Sequence, residues 1–237
     1  AAPLTLSEMT TATRRILLPG PMEHQLPMLL SPARYKVLCC GRRWGKSVLA
    51  LLAAVQGHGT AEFPLKGAIQ GGDIWWVAPS YPVASIIWRD LKYSLRDAWV
   101  DKSEEQLRIT LPTGGSVQIK SADRPEGLRG MGLDGVVIDE VRDMDEEVWA
   151  EALRPALSDR QGWAMFISTP RGGSWFNRLL VDAQVLEGWE WWQRPSRDNP
   201  TLVAEDLTQA RAQMGAAIFA QEYEADTTLL AGLALPE

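Results

Sequence analysis

The sequence predicts an α/β fold, a mostly parallel, helix-covered β-sheet with a small C-terminal helical subdomain. Two patterns and one junction carry that reading. Short apolar runs recur along the chain, helical stripes lie between them, and one run enters a basic glycine loop that leads directly into an apolar helix. The expected organisation is a leader over 1–33, a core over 34–195 and a helical lid or linker over 196–237.

The elements follow in order. Leu17 to Pro32 holds four prolines and leaves room for little more than loop and a short helix. Tyr35 to Cys40 is a buried strand that enters GRRWGKS, and Val48 to Val55 is a buried helix stopped by Gly57 and Gly59. Ile74 to Ala78 is a second core strand, ended by Pro79, and the stripe at 88, 91, 95 and 99 predicts a helix over Trp88 to Val100. Alternation at Leu107, Ile109 and Leu111, and again at Val117 and Ile119, with Pro112 to Gly115 between, predicts a β-hairpin. Gly135 to Ile138 is a third core strand, followed by an acidic helix from Asp145 to Leu157. Ala164 to Ile167 and Trp189 to Trp192 supply a fourth and a fifth strand, and Pro200 to Tyr223 reads as helix from Leu207, Ala210, Met214 and Ile218.

At 237 residues, 46% hydrophobic and 23% charged, the chain can bury a substantial core, which excludes wholesale disorder. No apolar run reaches the ~18 residues of a membrane span, and no apolar stretch follows a basic start at the N-terminus, so neither a membrane protein nor a secretory leader is expected. Cys39 and Cys40 are adjacent in one strand, a poor geometry for a bridge, and imply reduced thiols and a cytoplasmic setting. The net charge of −6 argues against a protein that coats nucleic acid by bulk electrostatics. The charge is polarised, however. Residues 1–60 carry seven basic residues against two acids, and 121–160 carry five arginines against eleven acids, so an anionic ligand belongs near the N-terminal third.

Gly45, Lys46 and Ser47 stand where a buried strand turns into a buried helix. That is the setting of a phosphate loop: Gly41 and Gly45 let backbone N–H groups converge, with Arg43 and Trp44 between them, Lys46 neutralises the β and γ oxygens, and Ser47 offers a hydroxyl to Mg2+. The spacing departs from the usual one, which wants glycine at position 40, where this chain has Cys40 and then Gly41. A basic turn before a helix is the alternative. The strand Val136 to Glu140 ends in two acids, and Asp139 can share the magnesium shell with Ser47 while Glu140 orients and deprotonates water. A solvated strand end is the alternative here. Together, 93 residues apart with a strand and hairpin between, the motifs point to a P-loop NTPase of the glutamate-base (ASCE, RecA-like) class, with a strand inserted between the two motif strands.

The motifs CGRRWGKS (40–47), SADRPEGLRGMGLDG (121–135) leading into VVIDE (136–140), ISTPRG (167–172), and Phe219 with Gln221, Glu222 and Tyr223 together resemble the ATPase domain of the large terminase subunit of tailed double-stranded DNA bacteriophages. The similarity spans about residues 20–225. It implies an ATP-hydrolysing motor with ATP and Mg2+ as cofactors, translocating double-stranded DNA into a procapsid in the host cytoplasm. It also implies a portal protein and a small terminase subunit as partners, and a homo-oligomeric ring when assembled from chains monomeric in isolation. It implies that Arg42 reaches the phosphates, that Ser168 and Thr169 form the coupling motif that senses the γ-phosphate, and that Gln25 recognises adenine, against the alternative of a surface glutamine. Arg129 matches the arginine finger, with Arg124 as second candidate and with a salt bridge to Asp123, Asp134 or Glu126 as the alternative. The second, nuclease part of such subunits is not expected within these residues.

Two other functions compete: a superfamily 2 helicase-like fragment, which would need a second RecA-like domain, and a nucleotide-gated assembly module with little turnover. Trp75, Trp76, Trp88 and Trp163 are expected in the core, Trp44 is expected to wedge the loop, and Trp149 and Trp175 have no assigned role. No Cys/His spacing supports zinc, and the acidic run Asp143 to Glu147 fits dipole capping better than a metal cluster.

Overall fold

A computed structural model describes residues 15–228 of the chain. The parts of the leader and of the C-terminal segment beyond those limits lie outside the described residues. A 3₁₀ turn at Glu23–Gln25 opens α1 (Leu26–Leu30), whose Pro27 sits in the first turn, where its missing N–H costs nothing. β1 (Tyr35–Cys40) is buried throughout and feeds α2 (Lys46–Gln56), buried from Leu49 to Val55. β2 (His58–Gly59) and β3 (Pro64–Leu65) pair with each other; two residues are too few to carry a sequence period.

β4 (Asp73–Ala78) leads to α3 (Tyr81–Leu95), which starts seven residues before the expected stripe and stops before Trp99. Pro82 initiates it, and its first turns expose Tyr81 and Ile86, which hides the period there. β5 (Asp101–Ser103), β6 (Arg108–Thr110) and β7 (Ser116–Ser121) form an antiparallel meander around the expected hairpin. β8 (Gly135–Asp139) follows. The acidic helix begins at 146, close to where it is expected: a 3₁₀ turn at Val141–Asp143 precedes it, and it continues as a π-helix at Val148–Leu153 and α4 (Arg154–Ala156). Pro155 has no N–H to return to Glu151, and Arg154 N–H bonds instead to the carbonyl of Trp149, five residues back.

β9 (Trp163–Ser168), α5 (Trp175–Asp182) and β10 (Trp189–Arg194) complete the core. The expected continuous C-terminal helix is two helices, α6 (Ala204–Gln213) and α7 (Ala216–Glu222), broken at Met214 and Gly215. Its stripe does not pack as one face. α6 buries no residue, Ile218 is exposed, and α7 buries Phe219 and Glu222.

The main sheet has the order β10-β1-β9-β8-β4-β7-β6-β5, parallel from β10 to β7. β9 is the strand inserted between the two motif strands, as expected. Register sets Cys39 beside Ser168 and Ile167 beside Asp139, so the C-terminal ends of β1, β9 and β8 form one edge. Side chains alternate between two cores. Leu38 and Cys40 join α2 and α3 on one face, and Val37 and Cys39 join α5 and the π-helix on the other. Cys39 and Cys40 are free, and burial pushes the Cys40 thiol up to about 12, as inert reduced thiols.

One buried charge braces the start of the domain. Lys36 is buried in β1, and its ammonium donates to the carbonyls of Met28 (2.9 Å) and Ser31 (2.7 Å) and lies 2.7 Å from His58 Nδ1. It thereby ties the end of α1, and the glutamine just ahead of it, to the sheet. Among the described residues no helix is long and apolar enough to cross a membrane.

Candidate functional site

The loop between β1 and α2 is held from both sides. Trp44 is fully buried, as a wedge should be, with the His24 ring edge-on at 4.7 Å and His24 Nε2 3.2 Å from the Trp44 carbonyl. Gln25 is fully buried, so it is not a surface glutamine. Its Nε2 donates to the Gly45 carbonyl (3.1 Å) and its Oε1 accepts from the Met22 N–H (3.0 Å). Gly45 is left-handed at φ 104°, which favours glycine, and a Cβ there would stand 2.6 Å from Gln25 Nε2 and push that amide off the Gly45 carbonyl. The Lys46 ammonium donates to the loop's own carbonyls, Cys40 at 2.9 Å and Gly41 at 3.0 Å, and Ser47 is the exposed second residue of α2.

The displaced glycine has a structural cause. Position 40 is the buried last residue of β1, whereas a Cβ at Gly41 would come within 3.0 Å of Ser196 Oγ, Ser196 N and the Tyr223 carbonyl. The close approach that demands glycine is therefore at 41. Hydrogen bonds stitch this seam, among them Ser196 Oγ to the Arg42 carbonyl (2.6 Å), Asn199 Nδ2 to the Arg43 carbonyl (2.6 Å) and the Arg42 N–H to the Glu222 carbonyl (2.6 Å), and Ser196 N–H to the Tyr223 carbonyl (2.7 Å) ties the segment together behind them.

Opposite the loop, Asp139 is buried at the end of β8 and accepts from Trp76 Nε1 at 3.3 Å. Burial, then the neighbouring charge of Glu140, raises its carboxyl to about 7. Glu140 takes a left-handed backbone (φ 49°, ψ 48°), a conformation that costs a non-glycine residue about 1–3 kcal/mol. Its Oε2 accepts a long hydrogen bond from Ser168 Oγ (3.5 Å) and lies 3.7 Å from Arg142 Nε. Thr169 follows Ser168 at the end of β9, and its buried Oγ1 has no hydrogen-bond partner.

Loop and strand ends border a cavity of about 950 Å³, which Asp139 and Ser168 do not line. Arg42, Arg43, Gly45, Lys46 and Ser47 line it from the loop, with Glu140 and Thr169 from the strand ends. Its outer wall, Asn199, Thr201, Leu207 and Tyr223 among others, comes from the C-terminal segment. Gln25 reaches it only through Gly45. The donor set fits a polyanion with a cation: an ammonium, two arginines, an unpaired hydroxyl on Thr169, and in Asp139 a buried carboxylate whose charge a cation would compensate. Among the described residues no group of three or more His, Cys, Asp or Glu could hold a metal ion.

Arg129 stands apart from the cavity. It is exposed and pairs with Glu151 (2.8 Å), rather than with Asp123, Asp134 or Glu126, and Asp134 is held by Arg160 (2.7 Å). In the acidic run, Asp143 pairs with Arg171, and Glu146 with Arg178 at 2.7 Å. Trp175 is a core residue whose Nε1 donates to the Met144 carbonyl (2.7 Å), and the half-buried Trp149 packs edge-on against Tyr35 and Phe166 at the margin of that core. Sequence reasoning missed Arg142, Ser196, Asn199 and Glu222 as members of the site. Only Glu222 carried a signal, inside a motif to which no role was attached.

No protein-family model matches the chain. It is 35% identical over 190 residues to the large terminase subunit of Thermus phage G20c, covering 71% of this chain and 36% of that one. It is 30% identical over 206 residues to the large terminase subunit of Escherichia phage T5, covering 84% and 45%. The chain thus spans less than half the length of the curated relatives it matches. Its structure superposes on the ATPase domain of the Thermus phage P74-26 large terminase with a TM-score of 0.70 at 27% identity, over 88% of this chain and 94% of that one.

Proposed function

Since this chain is a homologue of the ATPase domain of phage large terminase subunits, we propose that it binds and hydrolyses ATP to drive double-stranded DNA into a procapsid. The observation that carries the reading is the convergence of Lys46, Glu140 and Thr169 on one cavity from three different strand ends.

In this reading Lys46 turns from the loop carbonyls to the β and γ phosphates, backbone N–H groups of Gly41 to Ser47 cradle them, and Arg42 adds charge at the γ end. Gln25 lies at the adenine side and fixes the loop through Gly45. Glu140 orients and deprotonates the attacking water, and Ser168 and Thr169 report the γ-phosphate to the strand edge. Ser47 and Asp139 would hold Mg2+, which would supply Lewis-acid neutralisation of the phosphate oxygens. Arg129 acts on a neighbouring chain in a homo-oligomeric ring, exchanging Glu151 for the neighbour's phosphates. The portal protein of the procapsid and a small terminase subunit are the docking partners, in the host cytoplasm.

Two substitutions test this. Lys46→Ala removes the charge facing the phosphates and is expected to abolish tight ATP binding in a titration, whereas Glu140→Gln is expected to bind ATP and lose turnover by about two orders of magnitude or more. Unaltered affinity in the first, or unaltered turnover in the second, rejects the assignment.

A further inference from the structure

The loop between β1 and α2 keeps its carbonyls occupied and leaves two of its N–H groups open. Lys46 holds the carbonyls of Cys40 and Gly41, Ser196 Oγ that of Arg42 (2.6 Å), Asn199 Nδ2 that of Arg43 (2.6 Å) and Gln25 Nε2 that of Gly45, while the Trp44 carbonyl faces His24 Nε2. The N–H groups of Gly41, Arg42 and Trp44 donate to the carbonyls of Arg194, Glu222 and Gly41. Among the described residues nothing accepts from the N–H of Arg43 or of Gly45, so ahead of α2 these two are what the loop offers an anion. One residue is strained by this arrangement. Arg43 has φ 60°, a left-handed backbone that glycine takes freely and other residues do not. Rotating the Arg42–Arg43 peptide would relax it, and would also exchange the directions of the Arg42 carbonyl and the Arg43 N–H, because the two point opposite ways from one plane. An acceptor would then stand where the loop now presents a donor.

We propose that Ser196 and Asn199 are positioning residues for phosphate binding: they lock Arg43 in its left-handed backbone and so keep the Arg43 N–H, rather than the Arg42 carbonyl, available to the phosphates. This rests on the ATP reading above. Both side chains are buried, and they grip the carbonyls on either side of the Arg43 α-carbon. The Asn199 amide has no spare orientation, since its Oδ1 accepts from the N–H and the hydroxyl of Thr201, both at 2.9 Å, which fixes Nδ2 towards Arg43. Without either donor a carbonyl loses its partner and the strain at Arg43 is no longer opposed. The loop then populates the rotated peptide, whose carbonyl repels a phosphate. Ser196 and Asn199 both belong to the C-terminal segment, so the loop is receptive only while that segment is docked on it.

The test is a rescue experiment. Ser196→Ala and Asn199→Ala each remove one clamp, and each is expected to weaken binding of ATP with Mg2+ by about threefold to tenfold, the worth of one hydrogen bond. Inorganic triphosphate, which has no adenine or ribose to meet the cavity's outer wall, should lose a similar factor. Arg43→Gly takes φ 60° without strain, so in that background either clamp substitution should cost about twofold or less. If Ser196 and Asn199 merely packed the C-terminal segment against the loop, the loss would persist undiminished beside Arg43→Gly. That outcome overturns the proposal, as do unchanged affinities or a loss confined to ATP. Should a clamp variant fail to fold, Arg43→Gly and Arg43→Ala decide, since both lack the guanidinium and differ in the strain: the glycine variant should have the higher urea midpoint, and an equal or lower one overturns the proposal. Binding by the wild type separates the two levels. If it binds neither ATP nor triphosphate, the nucleotide reading falls and this inference with it, whereas binding together with any overturning outcome rejects this inference alone.

Discussion

Gly41→Ala isolates the seam between the loop and the C-terminal segment, because Gly41 does not have a left-handed backbone and alanine there meets only a packing obstacle. The new methyl would lie within 3.0 Å of two backbone atoms and one hydroxyl, Ser196 N at 2.8 Å among them, whereas ordinary contact begins near 3.4 Å. Backbone cannot rotate aside as a long side chain can, so the segment around Ser196 and Tyr223 must move as a body. Overpacking of this kind costs about 1–3 kcal/mol. The shift also strains the bonds from Ser196 N–H to the Tyr223 carbonyl (2.7 Å) and from Ser196 Oγ to the Arg42 carbonyl (2.6 Å), each worth about 1 kcal/mol. The expected loss is about 2–5 kcal/mol, a large part of the roughly 5–15 kcal/mol that holds a domain folded. Urea unfolding of the purified chain reads it as a lower midpoint, and ATP titration should show weaker binding, since the cavity's outer wall moves with the segment. Gly127→Ala, with nothing within 4 Å of its Cβ, is the control and should stay within about 0.5 kcal/mol of wild type. Equal midpoints for Gly41→Ala and Gly127→Ala would refute the tight apposition of the segment on the loop.

Two further outcomes are expected. Arg129→Ala should bind ATP almost normally but lose turnover by about 10³ to 10⁵, as for a trans arginine, and mixing it with Glu140→Gln chains should restore some hydrolysis at mixed interfaces; absence of rescue in assembled mixtures returns Arg129 to its salt bridge with Glu151. Burial lowers the Lys36 ammonium to about 7, against the opposing pull of Glu190, so between pH 7 and the ordinary lysine range near 10.5 the unfolded chain binds a proton that the folded chain releases. Stability should therefore rise with pH across that window. His58 is held well below 6.5 by burial and by Lys36, which adds a loss of stability as pH falls below 6.5. Denaturant midpoints at pH 5.5, 7 and 9 should increase in that order, and Lys36→Met should flatten the upper step; an unchanged upper step in that variant refutes the assignment.

The sequence alone determined the strands β1, β4, β8, β9 and β10 to within about two residues, the loop and helix that follow β1, and the two acids that end β8. These are local features. The buried parallel strands β4, β8 and β9 stand out as apolar runs, β1 as one interrupted only by Lys36 and the half-exposed edge strand β10 by its tryptophans, and a phosphate loop needs its glycines, lysine and hydroxyl close together in the chain. The paired motifs also determined that a strand would lie between β1 and β8. Other features were decided only by tertiary structure. Gln25 is buried because Met22 and Gly45 use its amide, α6 and α7 part at Gly215, and Arg129 chooses Glu151. The displacement of the loop glycine is of the same kind: position 41 must be bare because Ser196 and Tyr223, more than 150 residues further along, press their backbones against it. Glu222 meets Arg42 across 180 residues and Arg142 across 80. Periodicity and spacing report which face of an element is buried, but which distant carboxylate or carbonyl arrives at that face depends on how the sheet orders its strands and returns the chain, and only the folded structure fixes those pairings.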